Sequence, residues 1–140
     1  MDPMGRVLLL RFAVTQNGKP FAFWATPGGG AAEDESDHAA AIRELAEELR
    51  LSVSSLDGPL DGPVHVHEST FEVNGTWWQG RDVFFHGRCA ADAPVFTGGS
   101  EAEERAALQD MRWWTLEELD QTAETVFPPE LATVARALLA

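Results

Sequence analysis

Gly29-Gly30-Ala31-Ala32-Glu33-Asp34-Glu35 and, eight residues on, Arg43-Glu44-Leu45-Ala46-Glu47-Glu48-Leu49-Arg50-Leu51 decide how this chain is read. A helix turns by about 100° per residue, so Glu44, Glu47 and Glu48 at i, i+3 and i+4 share one face. Three adjacent carboxylates repel one another unless a cation lies among them. Oxygen-only donors on a helix suit a hard divalent ion, Mg²⁺ or Mn²⁺, which takes a few carboxylates and fills its shell from water and phosphate. Behind the acids, Ile42, Leu45, Ala46 and Leu49 form an apolar stripe, so the same helix can pack on a sheet. Ser36 is the expected N-cap, with Asp37 in the first turn. Ahead of it, Pro27 and the glycines Gly28, Gly29 and Gly30 break regular structure and let backbone approach a ligand closely.

The spacing is also that of the Nudix box: Gly, five residues, Glu, seven residues, then Arg-Glu-aliphatic-any-Glu-Glu-any-Gly-aliphatic. Gly29, Glu35, Arg43, Glu44, Leu45, Glu47, Glu48 and Leu51 match it. On these residues the chain resembles a Nudix (MutT-like) hydrolase, with two fixed gaps that a lone Gly-rich loop lacks. The lead-in Trp24-Ala25-Thr26-Pro27-Gly28-Gly29 is similar to the family's entry to the box. Arg112-Trp113-Trp114-Thr115-Leu116-Glu117-Glu118-Leu119 is similar to its closing strand and helix. One position departs. Arg50 stands where the family has a glycine that ends the helix in a left-handed turn. A side chain makes that turn costlier by roughly 1 kcal/mol, so a different helix exit is expected.

The resemblance implies an α/β/α sandwich with a mixed β-sheet between helices. It also implies metal-dependent hydrolysis of the pyrophosphate bond in a nucleoside diphosphate linked to another moiety, with Mg²⁺ or Mn²⁺ as cofactor. Glu47 and Glu48 would then ligate metal, Glu44 would ligate metal or activate water, and the Gly29 carbonyl would complete a coordination sphere. Arg43 projects about 100° away from Glu44 and is better placed to brace than to bind substrate. In the family its partner is the first glutamate of the box, here Glu35, and a bidentate guanidinium would lock loop to helix. The alternative from another class is a non-catalytic Nudix-fold module that binds or senses a nucleotide; loss of a box carboxylate would favour it, and none is lost.

Other residues fit the same chemistry. Family members often take a further acid from a late loop or a neighbouring strand; Asp82, Glu101, Glu103 and Glu104 are available, with Asp82 and Glu101 preferred. Trp24, Trp77, Trp78, Trp113 and Trp114 offer faces for a base, worth about 1 to 3 kcal/mol each, although alternation sends only one of each adjacent pair inward. Trp24, Asp82 and Glu101 are taken as the expected substrate contacts. His65 and His67 share one strand face and have the reach to touch a phosphate, but an exposed strand histidine without a role is the commoner case. Sub-signatures that would name the substrate are missing: there is no Ser-Gln-Pro-Trp run, no tyrosine, and Val66 and His67 occupy the place of the ADP-ribose enzymes' proline. These absences leave nucleoside triphosphates as the favoured class.

Composition narrows the setting. The 140 residues suit one domain, expected over 1–140, and carry ten basic against 23 acidic side chains for a net charge of −13. That field repels nucleic-acid polymers and anionic membranes, and it opposes a phosphate substrate unless metal accompanies it. No apolar run is long enough to span a bilayer, no export leader is evident, and the single cysteine, Cys89, forms no internal disulfide. A cytoplasmic protein, monomer or homodimer, is expected.

Along the chain, residues 6–14 read as a central strand covered on both faces and 21–24 as a short second strand after the Asn17-Gly18 turn. Residues 57–63 read as a loop, and 64–73 with 82–89 as a hairpin joined through Asn74-Gly75 and Trp77-Trp78. An exposed loop is expected over 91–104 and a last strand over 111–114. Thr115 and Glu118 form a capping box, and Pro128-Pro129 open a final helix with Leu131, Val134, Ala135 and Leu138 on its core face.

Overall fold

The computed structural model describes residues 1–28, 31–73, 75–90 and 108–140. In chain order the elements are β1 (Val7–Gln16), β2 (Lys19–Ala25), α1 (Asp37–Leu49), a 3₁₀ turn (Val53–Ser55), β3 (Asp61–Val73), β4 (Thr76–His86), β5 (Leu108–Trp114), α2 (Leu116–Gln121), β6 (Val126–Phe127) and α3 (Leu131–Leu139). The main sheet has the order β5-β1-β2-β6, antiparallel except where β6 runs parallel to β2. A separate antiparallel hairpin is made by β3 and β4.

Alternation along β1 builds both layers. Val7 and Leu9 point to one face, where they pack with Trp24, Trp114, Leu131 and Ala135 and with Leu116 and Leu119 of α2. Leu8 and Leu10 point to the other, against Leu49, Leu51, Leu108 and Leu45 of α1. Leu9 and Leu10 are fully buried, each side chain contributing about 1.5–3 kcal/mol by leaving water. The near-continuous apolar run is therefore a strand roofed by α1 and floored by α2 and α3, the expected sandwich with a mixed sheet between helices. Trp113 and Trp114 divide between the two faces, Trp113 toward the α1 cluster and Trp114 into the opposite one, edge-on to Trp24 at 5.2 Å.

Turn and cap chemistry agree with the sequence at three points. Asn17 and Gly18 both take positive φ, 53° and 76°, as the tight β1–β2 turn requires. Ser36 Oγ accepts the Ala39 amide at the start of α1. Thr115 and Glu118 exchange both bonds of a capping box.

Elsewhere the boundaries move. β4 begins at Thr76, so Trp77 and Trp78 lie in register opposite Glu72 and Phe71, and the strand ends before Cys89, which is buried beyond it. The strand at Met111–Trp114 is not the last: β6 follows it, held to β2 by a backbone bond from Trp24 to Thr125 and too short to carry a pattern. Ala46 faces solvent, and Ala40 joins Leu49 on the buried side of α1. Pro128 and Pro129 precede α3 without entering it, and Glu130 takes the N-cap position. The expected loop over 91–104 lies outside the described residues.

The helix exit is a correction. Arg50 itself adopts the left-handed conformation, φ 52° and ψ 34°, its amide bonding Ala46 O while the Leu51 amide reaches Leu45 O. The hydrogen bonds that close the turn hold whichever residue sits there, so the family's geometry persists with a strained side chain in place of glycine. Arg50→Gly should therefore raise stability by about 0.5–1 kcal/mol. Urea unfolding measures it, and a lower midpoint in the variant would show instead that the Arg50 side chain stabilises the fold.

Candidate active site

Glu35 is held by a turn. The Glu35 amide bonds Ala32 O at 3.0 Å, the Ala32 amide donates back to Glu35 Oε1 at 2.9 Å, and Asp34 between them takes a left-handed φ of 67°. This presents the carboxylate to Arg43 on α1. Arg43 grips it with both arms of the fork, Nε to Oε2 at 2.9 Å and Nη2 to Oε1 at 3.0 Å. The same guanidinium donates from Nη1 to Glu44 Oε1 at 2.9 Å and to Glu47 Oε2 at 3.2 Å. One cation thus faces three carboxylates.

The consequences are electrostatic. The Arg43 bonds, aided by the Ala32 amide, hold the Glu35 carboxyl down at about 2, and Glu35 with Glu44 in turn pushes the guanidinium above its ordinary value. Glu44 and Glu48 are each only 4% exposed, an unusual place for carboxylates. Among the described residues no hydrogen bond reaches Glu44 Oε2. A buried acceptor left so costs about 1–3 kcal/mol. A divalent cation at this face would relieve that cost, and the donors, all carboxylate oxygens, match a hard ion. Glu44, Glu47 and Glu48 are the residues that could hold it. Gly29, expected to lend its carbonyl, lies outside the described residues.

A cavity of about 490 Å³ lies on the other side of α1, between the helix, the main sheet and the β3–β4 hairpin. Its wall includes Phe23, Pro27, Gly28, Leu45, Asp82 and Phe84, whereas the box carboxylates do not line it. The helix therefore separates an acidic face from an apolar chamber. Gly28 and Ala31 are among the residues that line this chamber. Its volume is in the range that encloses small ligands.

The other expected contacts part company. Asp82 lines the cavity, exposed on β4 opposite His67. Trp24 is 4% exposed and packed on Trp114, which makes it a core residue with no face free for a base. Trp77 and Trp78, at 67% and 54% exposed, stand open on the hairpin. Glu101, with Glu103 and Glu104, lies outside the described residues.

His65 and His67 do meet a carboxylate, but that of Glu130, at the start of α3. His65 Nε2 and His67 Nδ1 each lie 2.7 Å from Glu130 Oε1, and these bonds, His65 first, hold the Glu130 carboxyl at about 2. Glu130 stands more than sixty residues from either histidine. Alternation put the two rings on one face; nothing local in the sequence announced their partner.

Comparison with known proteins accords with this architecture. The chain matches the NUDIX domain profile over residues 1–137. No curated protein matches it. Among solved structures it is similar to a MutT protein from Methanosarcina mazei Go1, at 19% identity and TM-score 0.64 over 97% of this chain and 84% of that one. It is also similar to a C. elegans Ap4A hydrolase in a binary complex, at 19% identity and TM-score 0.62 over 96% and 85% of the two chains. The NUDIX domain of Shewanella oneidensis NrtR, crystallised with ADP ribose, is a third, at 20% identity and TM-score 0.60 over 96% and 78%. With a profile match across nearly its whole length, a box that keeps every family carboxylate in sequence and the sandwich that carries it, the chain belongs to the Nudix family of MutT-like hydrolases.

Proposed function

We propose that the protein is a metal-dependent pyrophosphohydrolase of nucleoside diphosphate derivatives, with nucleoside triphosphates as the favoured substrates and Mg²⁺ or Mn²⁺ held by Glu44, Glu47 and Glu48. The observation that carries this reading is the buried Glu44 carboxylate, bonded to Arg43 through one oxygen and bare at the other among the described residues. A bound divalent ion would supply positive charge where phosphate oxygens become more anionic and make water a better nucleophile. Glu47, half-exposed at the same face, would bind that ion, and Glu44 would either hold it or take a proton from water. Arg43 and Glu35 act as positioning residues: their clamp fixes the turn that follows the glycines against the helix. The apolar chamber beside Gly28 is a seat for the nucleoside end, with Asp82 on its wall.

The setting proposed is one domain over 1–140 acting in the cytoplasm, as monomer or homodimer, on a small molecule and not on a nucleic-acid polymer or a membrane. The charge of −13 supports the last two exclusions. Among the described residues no helix is long and apolar enough to cross a membrane.

The test is product analysis on normal and oxidised nucleoside triphosphates, ADP-ribose, NADH, dinucleoside polyphosphates and sugar nucleotides, each with Mg²⁺, Mn²⁺ or chelator. Chelator-sensitive release of a nucleoside monophosphate from one class is expected. No turnover across the panel, with nucleotide binding still visible by calorimetry, would point to a non-catalytic module instead.

Glu47→Gln and Glu48→Gln should each lower turnover by roughly 100-fold or more with the circular dichroism spectrum unchanged; near-wild-type rates in both would remove the carboxylates from the site. Arg43→Ala should lose both activity and thermal stability. Glu35 has a folded value of about 2 against an ordinary 4.5, so its contribution is complete above pH 4.5 and fades as pH falls toward 2. The melting-temperature gap between wild type and Arg43→Ala should narrow over that window. A gap that is constant from pH 6 to pH 3 would mean that the clamp does not carry the difference.

A further inference from the structure

We propose a second metal site, separate from the box, in which His65 and His67 of β3 and Glu130 at the start of α3 bind a divalent transition ion, zinc above all. The three donor atoms, His65 Nε2, His67 Nδ1 and a Glu130 carboxylate oxygen, lie within 4.8 Å of one another. Both rings aim at the same oxygen, Oε1, at 2.7 Å each. Two imidazoles converging on one carboxylate oxygen give a two-nitrogen, one-oxygen set on one side of a point, leaving the remaining positions to water or another ligand. Zinc sits about 2.0–2.2 Å from each such donor, so donors sharing one ion are about 3–4 Å apart. The carboxylate oxygen, now 2.7 Å from each nitrogen, would move back by about 1 Å to share an ion with them, each nitrogen giving up the proton it now donates.

The surroundings favour such a site. His65 lies against Phe84 at 5.7 Å and His67 edge-on to Phe127 at 5.0 Å, and the two phenylalanines meet at 6.4 Å. This apolar collar fixes the rings and lowers the dielectric around them. The three side chains keep 23%, 19% and 34% of their surface, enough for an ion to enter. The overall charge of −13 draws cations to the molecule. Ligand chemistry keeps the two sites apart: imidazole nitrogens select zinc and its neighbours, while the oxygen-only box suits magnesium or manganese. An ion here would tie the β3–β4 hairpin to the helical layer at the rim of the cavity, where His65, Phe84 and Phe127 all lie.

The experiment is a zinc titration of the full chain against a chromogenic chelator, with Glu47→Gln/Glu48→Gln and His65→Gln/His67→Gln alongside the wild type. One equivalent is expected to survive in the glutamate variant and to be lost in the histidine variant. Survival in the histidine variant, or no zinc withheld from the chelator by wild type, would overturn the site and leave the cluster as a hydrogen-bonded clamp. A second measurement covers loss of fold in the double variant: electron paramagnetic resonance of one equivalent of Cu²⁺ bound to Glu47→Gln/Glu48→Gln. Hyperfine splitting from two imidazole nitrogens is expected, falling to one in His67→Gln. An oxygen-only spectrum, or one that His67→Gln leaves unchanged, would sink the proposal. Neither readout depends on turnover, so failure here and failure of the hydrolase reading are distinguishable.

Discussion

A single guanidinium set against three carboxylates is the constraint on which the geometry of the candidate site rests. Arg43 bonds Glu35, Glu44 and Glu47 at once. Its charge matches one of them, and Glu48 lies buried one turn along from Glu44. A folded protein tolerates such an imbalance only where something cationic is due to arrive or where neighbouring backbone is built to share the charge. The turn at Ala32–Glu35 and the helix are fastened together by the same residue, so the geometry of that turn and that of the acids are not independent. A change at Arg43 is felt in both.

The scaffold that carries this arrangement follows from one strand. Because β1 is apolar at successive positions, it has no solvent face, and helices must cover it on either side. The α1 cover brings the acids to the sheet; the α2 and α3 cover completes the sandwich and sets Glu130 beneath the hairpin. Among the described residues, polar links between the hairpin with its flanks and the remainder include Arg81 to Asp37 at 3.5 Å, His38 to the Leu60 carbonyl just before β3 at 3.1 Å, the Met1 amino group to the Gly87 carbonyl just after β4 at 2.6 Å, and the histidine pair to Glu130. Two strands alone are marginal in water. Its attachment to α1 and α3 therefore matters as much as its own ladder.

What could be read from the sequence was what short-range chemistry determines. Asn17-Gly18, Ser36, the Thr115–Glu118 box and the periodicity of α3 each state a local preference strong enough to survive tertiary packing. The Glu35–Arg43 pair was available through the family's spacing. Three matters were out of reach because their causes are remote or weak. β6 is two residues long and exists by virtue of β2 beside it. Glu130 meets His65 and His67 across a sequence separation that no window spans. The left-handed state of Arg50 shows a favourable set of capping bonds outweighing a residue preference of about 1 kcal/mol. Arg43 reaching Glu44, its neighbour about 100° around the helix, reflects the length of the arginine stem, which angular position alone does not convey.

The distribution of tryptophans gives the molecule an internal set of optical reporters. Trp24 and Trp114 are sealed in the layer beneath the sheet, while Trp77 and Trp78 stand in solvent at the tip of the hairpin. Their emission differs accordingly, blue for the sealed pair and red for the exposed one. A water-borne quencher such as iodide reaches the second and spares the first. Melting of the sandwich can thus be followed through the sealed pair, against an exposed pair whose surroundings change little, in the unlabelled protein.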